Sequence, residues 1–267
     1  MTKIRVITSL IMAPSAICAI LFLPIDWLAP LSGAIFLLGL WEWLRLVGLQ
    51  ETKLRATILV AMILMMWGMY TTLPSETVMR TARLVGNVFW LLTLFWLARP
   101  KLGSAFLRGC AGLLVTLSAW ASLILLQTGN SSGPRWLLTA LCIVWAADTG
   151  AYFVGRKFGR RPLAKYISPN KTIEGAFGGI IAGLLAALVF GWLAGAQQSH
   201  FLQLVCIAVF STCAAIVGDL FESLLKRHAG MKDSGTLIPG HGGVLDRIDG
   251  VLAALPIFAL GKDLFFS

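Results

Sequence analysis

Charge is what this sequence has least of. Asp, Glu, Lys and Arg make up 13% of its 267 residues, against roughly 25% in a soluble domain. A chain of this length can bury a good core, but in water the surface around that core would need more charge. With 58% hydrophobic residues and a mean hydropathy of +0.83, most of that surface is suited to lipid. Other absences narrow the field. No small-residue cleavage site follows the basic start at Lys3 and Arg5, so the first apolar run reads as a retained helix. The five cysteines (Cys18, Cys110, Cys142, Cys206, Cys213) form no CxxC pair and sit inside apolar runs. They read as small core residues, neither disulfides nor metal ligands. A GxxxxGK[ST] phosphate loop is missing, and so is the period-2 alternation of a closed barrel.

What is present is a series of apolar runs near the ~20 residues a helix needs to cross a bilayer. They cover 6–23, 27–47, 56–73, 84–98, 106–127, 136–154, 175–194, 201–220 and 250–264. The fold class is therefore all-α, a polytopic membrane bundle of about nine transmembrane helices. With the N-terminus placed in the cytoplasm, 18 of the 22 Lys and Arg fall on inner segments. Only Arg80, Arg83, Arg135 and Lys262 fall outside. One missed helix would scramble every later loop, so the asymmetry supports both the span count and the orientation. It also accounts for the net charge of +10 without nucleic acid as a partner.

The chain divides by chemistry into scaffold helices at 1–135 and a catalytic region at 136–267, with cytoplasmic loops at 155–174 and 221–249. Seven of the 12 acidic residues and 16 of the 27 glycines lie between positions 148 and 250. A carboxylate at the centre of a spanning helix costs about 2.5–3.5 kcal/mol on insertion scales and usually faces a bundle interior or a wet cavity. Asp148 lies deep in the sixth run, and Asp219 and Glu222 close the eighth. Glu42, between Trp41 and Trp43, reads as a structural pairing residue near the inner interface.

Both inner loops carry unusual polar patterns. In the first, Ser168, Pro169, Asn170, Lys171 and Thr172 stand just before a helix expected to begin near Ile173. A helix N-terminus beside a lysine is a ready anion site; the loop's six basic residues also fit a topogenic anchor or an anionic-lipid contact. In the second, Asp219, Glu222, Ser223 and Lys226 are spaced i, i+3, i+4 and i+7 on one helix face. Asp246 and Asp249, also i and i+3, open the last helix. Between them, Pro239-Gly240-His241-Gly242-Gly243 is a backbone that can turn back and expose its amides. Two carboxylate pairs suit a hard divalent cation, and the neighbouring Lys and Arg suit phosphate.

At this loop the sequence resembles the phosphatidate cytidylyltransferases, or CDP-diacylglycerol synthases. The resemblance rests on Ser223 with Lys226-Arg227, Lys232-Asp233-Ser234-Gly235, Pro239 to Gly243, and Asp246-Arg247-Ile248-Asp249. Upstream it takes in Asp148 to Tyr152, Ser168-Pro169 with Lys171-Thr172, and Gly218-Asp219 with Glu222-Ser223. It spans roughly residues 140–250; the first half matches only in being hydrophobic and multi-spanning. It implies magnesium-dependent transfer of a cytidylyl group from CTP to phosphatidate in the inner membrane, by a homodimer whose site faces the cytoplasm. The identity of any second cation stays open. It further implies that Asp219 and Asp246 hold metal and act catalytically with Lys226 and Asp249. Substrate contacts would come from Asp148, Ser168, Lys171, Thr172, Glu222, Ser223 and Arg227, and from Lys232, Asp233, His241, Gly242, Gly243 and Arg247. Whether His241 moves a proton or only hydrogen-bonds in a tight turn is open. A transporter would explain the buried acids but not this basic, glycine-rich surface loop. The DGxxAR pattern of enzymes that join a CDP-lipid to an alcohol does not occur.

Overall fold

A chain immersed in lipid must satisfy its backbone polar groups internally, and a helix does so within one segment. The structure, a computed structural model, describes residues 2–71, 75–98, 103–129, 131–238 and 242–266. Among these, nine α-helices follow the nine apolar runs: α1 (Thr2–Phe22), α2 (Ile25–Leu46), α3 (Thr52–Thr71), α4 (Ser75–Ala98), α5 (Ala105–Thr128), α6 (Gly133–Phe158), α7 (Ile173–Leu193), α8 (Phe201–His228) and α9 (Leu245–Phe265). Seven of them, α2 to α8, are long and apolar enough to cross a membrane. The end of the third run at Leu73, and Arg99 and Lys101 of the basic count, lie outside the described residues.

Several boundaries differ from the sequence reading. Four residues past Val154 and eight past Leu220 remain helical in α6 and α8, and α4 begins nine residues before Leu84. The helical hydrogen-bond ladder does not need apolar side chains, so a helix continues into water past the end of its apolar stretch. The loop after α6 is also not wholly irregular. Strands β1 (Pro162–Ala164) and β2 (Ser168–Thr172) pair antiparallel, with Pro162 opposite Thr172 and Ala164 opposite Ser168.

α9 is largely enclosed by protein: positions 250–256, 258 and 259 are all buried. Pro256 within it has no N–H for the carbonyl of Leu252. Trp90 of α4 donates its Nε1–H to that oxygen at 3.1 Å. One turn away Asn87 donates to Pro256 O at 3.1 Å, and Arg83 donates to Ala259 O at 3.2 Å and to Asp263 at 2.7 Å. Arg83, Asn87 and Trp90 share one face of α4 at i, i+4 and i+7, so α4 supplies the polar lining for a central helix.

α6 and α7 approach closely because small residues recur every fourth position. Gly175, Gly179, Gly183, Ala187 and Gly191 form the buried edge of α7. A Cβ at Gly178 would strike Val154, and one at Gly179 would press on the Ala147 carbonyl. Lipid tails are as apolar as leucine, so such shape matching, not hydrophobicity, holds helices together in a bilayer. Beneath the polar end, fully buried Phe221 of α8 packs against Trp43 (5.7 Å), Trp90 (6.1 Å) and Trp96 (5.8 Å). The cysteines are free, but Cys18, Cys110 and Cys213 are exposed. They are lipid-side residues and not the core residues their apolar neighbours suggested.

Candidate active site

The C-terminal ends of α2, α6 and α8 and the N-terminal ends of α7 and α9 meet at one end of the bundle, with the β1–β2 hairpin beside them. Gly218 has no side chain to hold α9 away, since a Cβ there would meet the Asp249 carbonyl. Asp219 and Asp249 therefore come level on adjacent helices. With Glu222, one turn along α8, they can place one carboxylate oxygen each within 4.8 Å of one another. Glu222 is 1% exposed, and among the described residues its Oε1 accepts no hydrogen bond. Asp148 of α6 lies close enough for its charge to act on Asp219 and Asp249.

Two lysines stand on these acids. Lys171 of β2 ion-pairs with Asp219 and donates to Ser223 Oγ at 3.5 Å. Lys226 bridges Glu222 at 2.5 Å and Asp246 at 2.7 Å. Asp246 is therefore next to the three convergent carboxylates but separately held. Its Oδ1 takes Lys226, while its Oδ2 accepts the backbone N–H groups of Ser234 and Gly243 at 2.9 and 2.8 Å. The loop closes through Ile238 N–H to Gly242 O at 2.9 Å, with Gly242 at φ +87°. Positive φ at low cost is the reason for glycine there. Pro239, Gly240 and His241 lie outside the described residues.

The first-loop residues divide by role. Thr172 caps α7, its Oγ1 accepting from Gly175 N–H at 3.1 Å, so this hydroxyl is engaged by the helix it precedes. Ser168 opens β2 at the far end of that strand, opposite Ala164. Glu174, in the first turn of α7, pins the root of the hairpin by accepting Arg160 N–H at 3.0 Å and Arg161 N–H at 3.2 Å. Arg227, from the last turn of α8, donates to the Ile167 carbonyl at 3.3 Å. Lys232, Asp233 and Arg247 are exposed at the mouth, and Arg247 lies within electrostatic range of Asp148.

Asp148 and the adjacent Thr149 are also exposed, although they sit ten residues before the end of α6, or about 15 Å along the helix. The acid cluster is thus open along the flank of the bundle as well as at its end. Two residues that sequence reading left in the scaffold also reach the site. Glu42 and Arg45 of α2 bond to the 232–246 loop. The one signal for Glu42 was a costly acid inside an apolar run; Arg45 looked like any interfacial cation.

The cytidylyltransferase family model matches residues 3–265. The chain belongs to this family. Membership makes it an enzyme of the nucleotidyltransferase type and extends the likeness over both halves, including helices with no readable motif. A phosphatidate cytidylyltransferase of Pseudomonas aeruginosa is 38% identical over 264 residues, 97% of this chain and 96% of the relative. One of Haemophilus influenzae is 35% identical over 286 aligned positions, covering 97% and 98%. One of Bacillus subtilis is 44% identical over 124 residues, 46% of each chain.

Proposed function

We propose that the chain transfers the cytidylyl group of CTP to phosphatidate, giving CDP-diacylglycerol and pyrophosphate for phospholipid synthesis. It would do so as a homodimer in the cytoplasmic membrane, with this end of the bundle toward the cytoplasm. The observation that carries the reading is the convergence of Asp219, Glu222 and Asp249 with Lys171 and Lys226. A site for two phosphate-bearing substrates needs both metal ligands and ammonium groups. The names of the full-length relatives support the same pair of substrates.

The donor set fits magnesium. All three groups are hard oxygen ligands, and the buried Glu222 Oε1, without a hydrogen-bond partner among the described residues, is the kind of atom a cation satisfies. Asp219, Glu222 and Asp249 would hold it; Asp246 joins if Lys226 leaves its Oδ1. When bound, magnesium supplies charge neutralisation for the triphosphate and the leaving pyrophosphate.

In the reaction a phosphatidate oxygen attacks the α-phosphorus of CTP, and the bond from that phosphorus to the β-phosphate's bridging oxygen breaks. The nucleophile is already ionised at neutral pH, so no side chain must remove a proton. The protein's task is to align two anions that repel each other and to offset their charge. Lys171 and Lys226 would each donate to a phosphate, exchanging a carboxylate partner for a substrate oxygen. Asp148 and Thr149 mark the flank by which a lipid phosphate could reach the cluster while its acyl chains stay in the bilayer.

Purified protein in phosphatidate-containing liposomes, given radiolabelled CTP and magnesium, should form CDP-diacylglycerol and pyrophosphate in equal amounts. Omitting phosphatidate should stop consumption of CTP. CTP turnover that ignores phosphatidate would overturn the assignment.

A further inference from the structure

Two glycines of the loop before α9 have no room for a side chain, and one residue fills the space at both. A Cβ at Gly235 would collide with Glu42 Oε1, and a Cβ at Gly243 would collide with Glu42 Oε2 and Ser234 Oγ. Glu42 comes from α2 and is 2% exposed. Its Oε2 accepts the Leu245 N–H at 2.8 Å and the Ser234 hydroxyl at 2.9 Å. Leu245 is the first residue of α9, and Val244 before it offers no side-chain cap. A helix start has orphan N–H groups and a positive dipole end, and a carboxylate answers both. The cap of α9 is therefore lent by a different helix.

Ser234 carries the connection on to the chemistry. It is fully buried, and its backbone N–H and its hydroxyl each lie 2.9 Å from Asp246 Oδ2. Arg45, three residues after Glu42 on α2, donates to the Ser234 carbonyl at 2.5 Å. α2 thus grips Ser234 through two side chains, and Ser234 with Gly243 N–H fixes one oxygen of Asp246. The other oxygen is left facing Lys226. Glu42 itself is enclosed by loop backbone.

We propose that Glu42 is a positioning residue for the transfer reaction: by capping α9 and holding Ser234, it sets the orientation of Asp246 without touching substrate. The role in catalysis rests on the reaction assigned above; the grip on the loop does not.

Glu42→Gln and Glu42→Ala separate the possibilities. Glutamine keeps a carbonyl oxygen that can stand in for Oε2 and accept from both Leu245 N–H and the Ser234 hydroxyl, losing only the charge; alanine keeps neither contact. Residues that orient a ligand-bearing group affect activity by about 10- to 100-fold. Glu42→Ala should lower kcat over that range with a smaller change in KM for CTP, while Glu42→Gln retains most of it. Ser234→Ala should lower kcat similarly, and the double variant Glu42→Ala/Ser234→Ala should be no worse than the poorer single, because both act through one contact. Trypsin, acting on folded protein in detergent, should cut after exposed Lys232 faster in Glu42→Ala than in wild type or Glu42→Gln. If Glu42→Ala does not fold, Glu42→Gln and Ser234→Ala, alone and combined, carry the test. Wild-type kcat in Glu42→Ala, equal inactivity of the Gln and Ala variants, or multiplicative losses in the double variant would overturn the proposal. Should wild type itself transfer no cytidylyl group, the assigned reaction fails, and the trypsin comparison still decides whether Glu42 holds the loop.

Discussion

Lys171, on the second strand of the hairpin, ion-pairs with Asp219 on α8. The contact ties the two inner loops into one surface. It also puts an ammonium against a carboxylate that a divalent cation would claim. Lys226 stands in the same relation to Glu222 and Asp246. On the proposed function each lysine would balance an acid until a cation arrives and would then be free for phosphate, so cation and nucleotide should favour each other's binding. In equilibrium dialysis, Lys171→Ala should weaken CTP binding in the presence of magnesium by roughly tenfold or more, the loss of a charge-assisted contact worth about 1.5–3 kcal/mol. Unchanged binding would remove Lys171 from the substrate path.

Lys226 has a second duty that changes what its removal should do. Glu222 and Asp246 are both largely buried, and without the ammonium they face each other unneutralised. Breaking a buried pair by removing one partner costs about 3–5 kcal/mol. Lys226→Ala should therefore lower the thermal midpoint as well as activity. Magnesium should raise that midpoint more in the variant than in wild type. An identical magnesium response in the two proteins would argue that Glu222 and Asp246 do not see the cation.

Orientation rests on the lopsided distribution of Lys and Arg, and it can be tested at exposed positions. In a cysteine-free background, Lys165→Cys and Thr236→Cys should be protected from an impermeant thiol reagent in intact cells and react after lysis. Ser199→Cys should react from outside. All three residues are exposed, whereas Gly235 is packed against Glu42 and would report on the loop instead. Labelling of Thr236→Cys from outside would invert the topology.

How much of this was legible follows from what each feature writes into the chain. The nine helices were readable because crossing lipid demands apolar runs of nearly fixed length. The carboxylates of α8 and α9 were readable because their cost in a span implies a purpose. The hairpin was not, since strands as short as Pro162–Ala164 and Ser168–Thr172 are too brief for any alternation. Nor was the pairing of Asp219 with Asp249 in preference to Asp246. That choice is made by how closely α9 can approach Gly218, a contact between helices that spacing along either one cannot show. Glu42 had a visible cost but no visible partner, because its partners lie 192 and 203 positions away.

At the opposite end of α9, Arg83 and Asp263 form a pair at 2.7 Å, with side-chain exposures of 4% and 24%. This pair should matter for stability and not for chemistry. Asp263→Asn should lower the thermal midpoint, through a loss of stability of about 1–3 kcal/mol given Asp263's partial access to water, and leave KM for CTP as in wild type. A change in KM without loss of stability would mean that α9 transmits strain along its length to the acid cluster.

The sharpest prediction concerns which acids bind the cation. Asp219, Glu222 and Asp249 converge, whereas both oxygens of Asp246 already have partners: Lys226 on one, Ser234 and Gly243 on the other. Asparagine preserves the size of aspartate and one acceptor oxygen but removes the charge that draws a divalent cation from its water shell. Asp219→Asn and Asp249→Asn should each reduce transfer by roughly a hundredfold or more, which is about 2.7 kcal/mol in the barrier. Both should raise the magnesium concentration needed for half activation. Asp246→Asn should also lose activity, since it disturbs the loop and Lys226 together, but with a smaller shift in magnesium dependence. A general base would behave differently, leaving metal affinity largely intact and altering the pH profile. Magnesium titrations of the three variants at saturating CTP and phosphatidate separate these cases. Wild-type magnesium dependence in both Asp219→Asn and Asp249→Asn would sink the assignment of the cation to this cluster, and a shift confined to Asp246→Asn would move the cation to the mouth of α9.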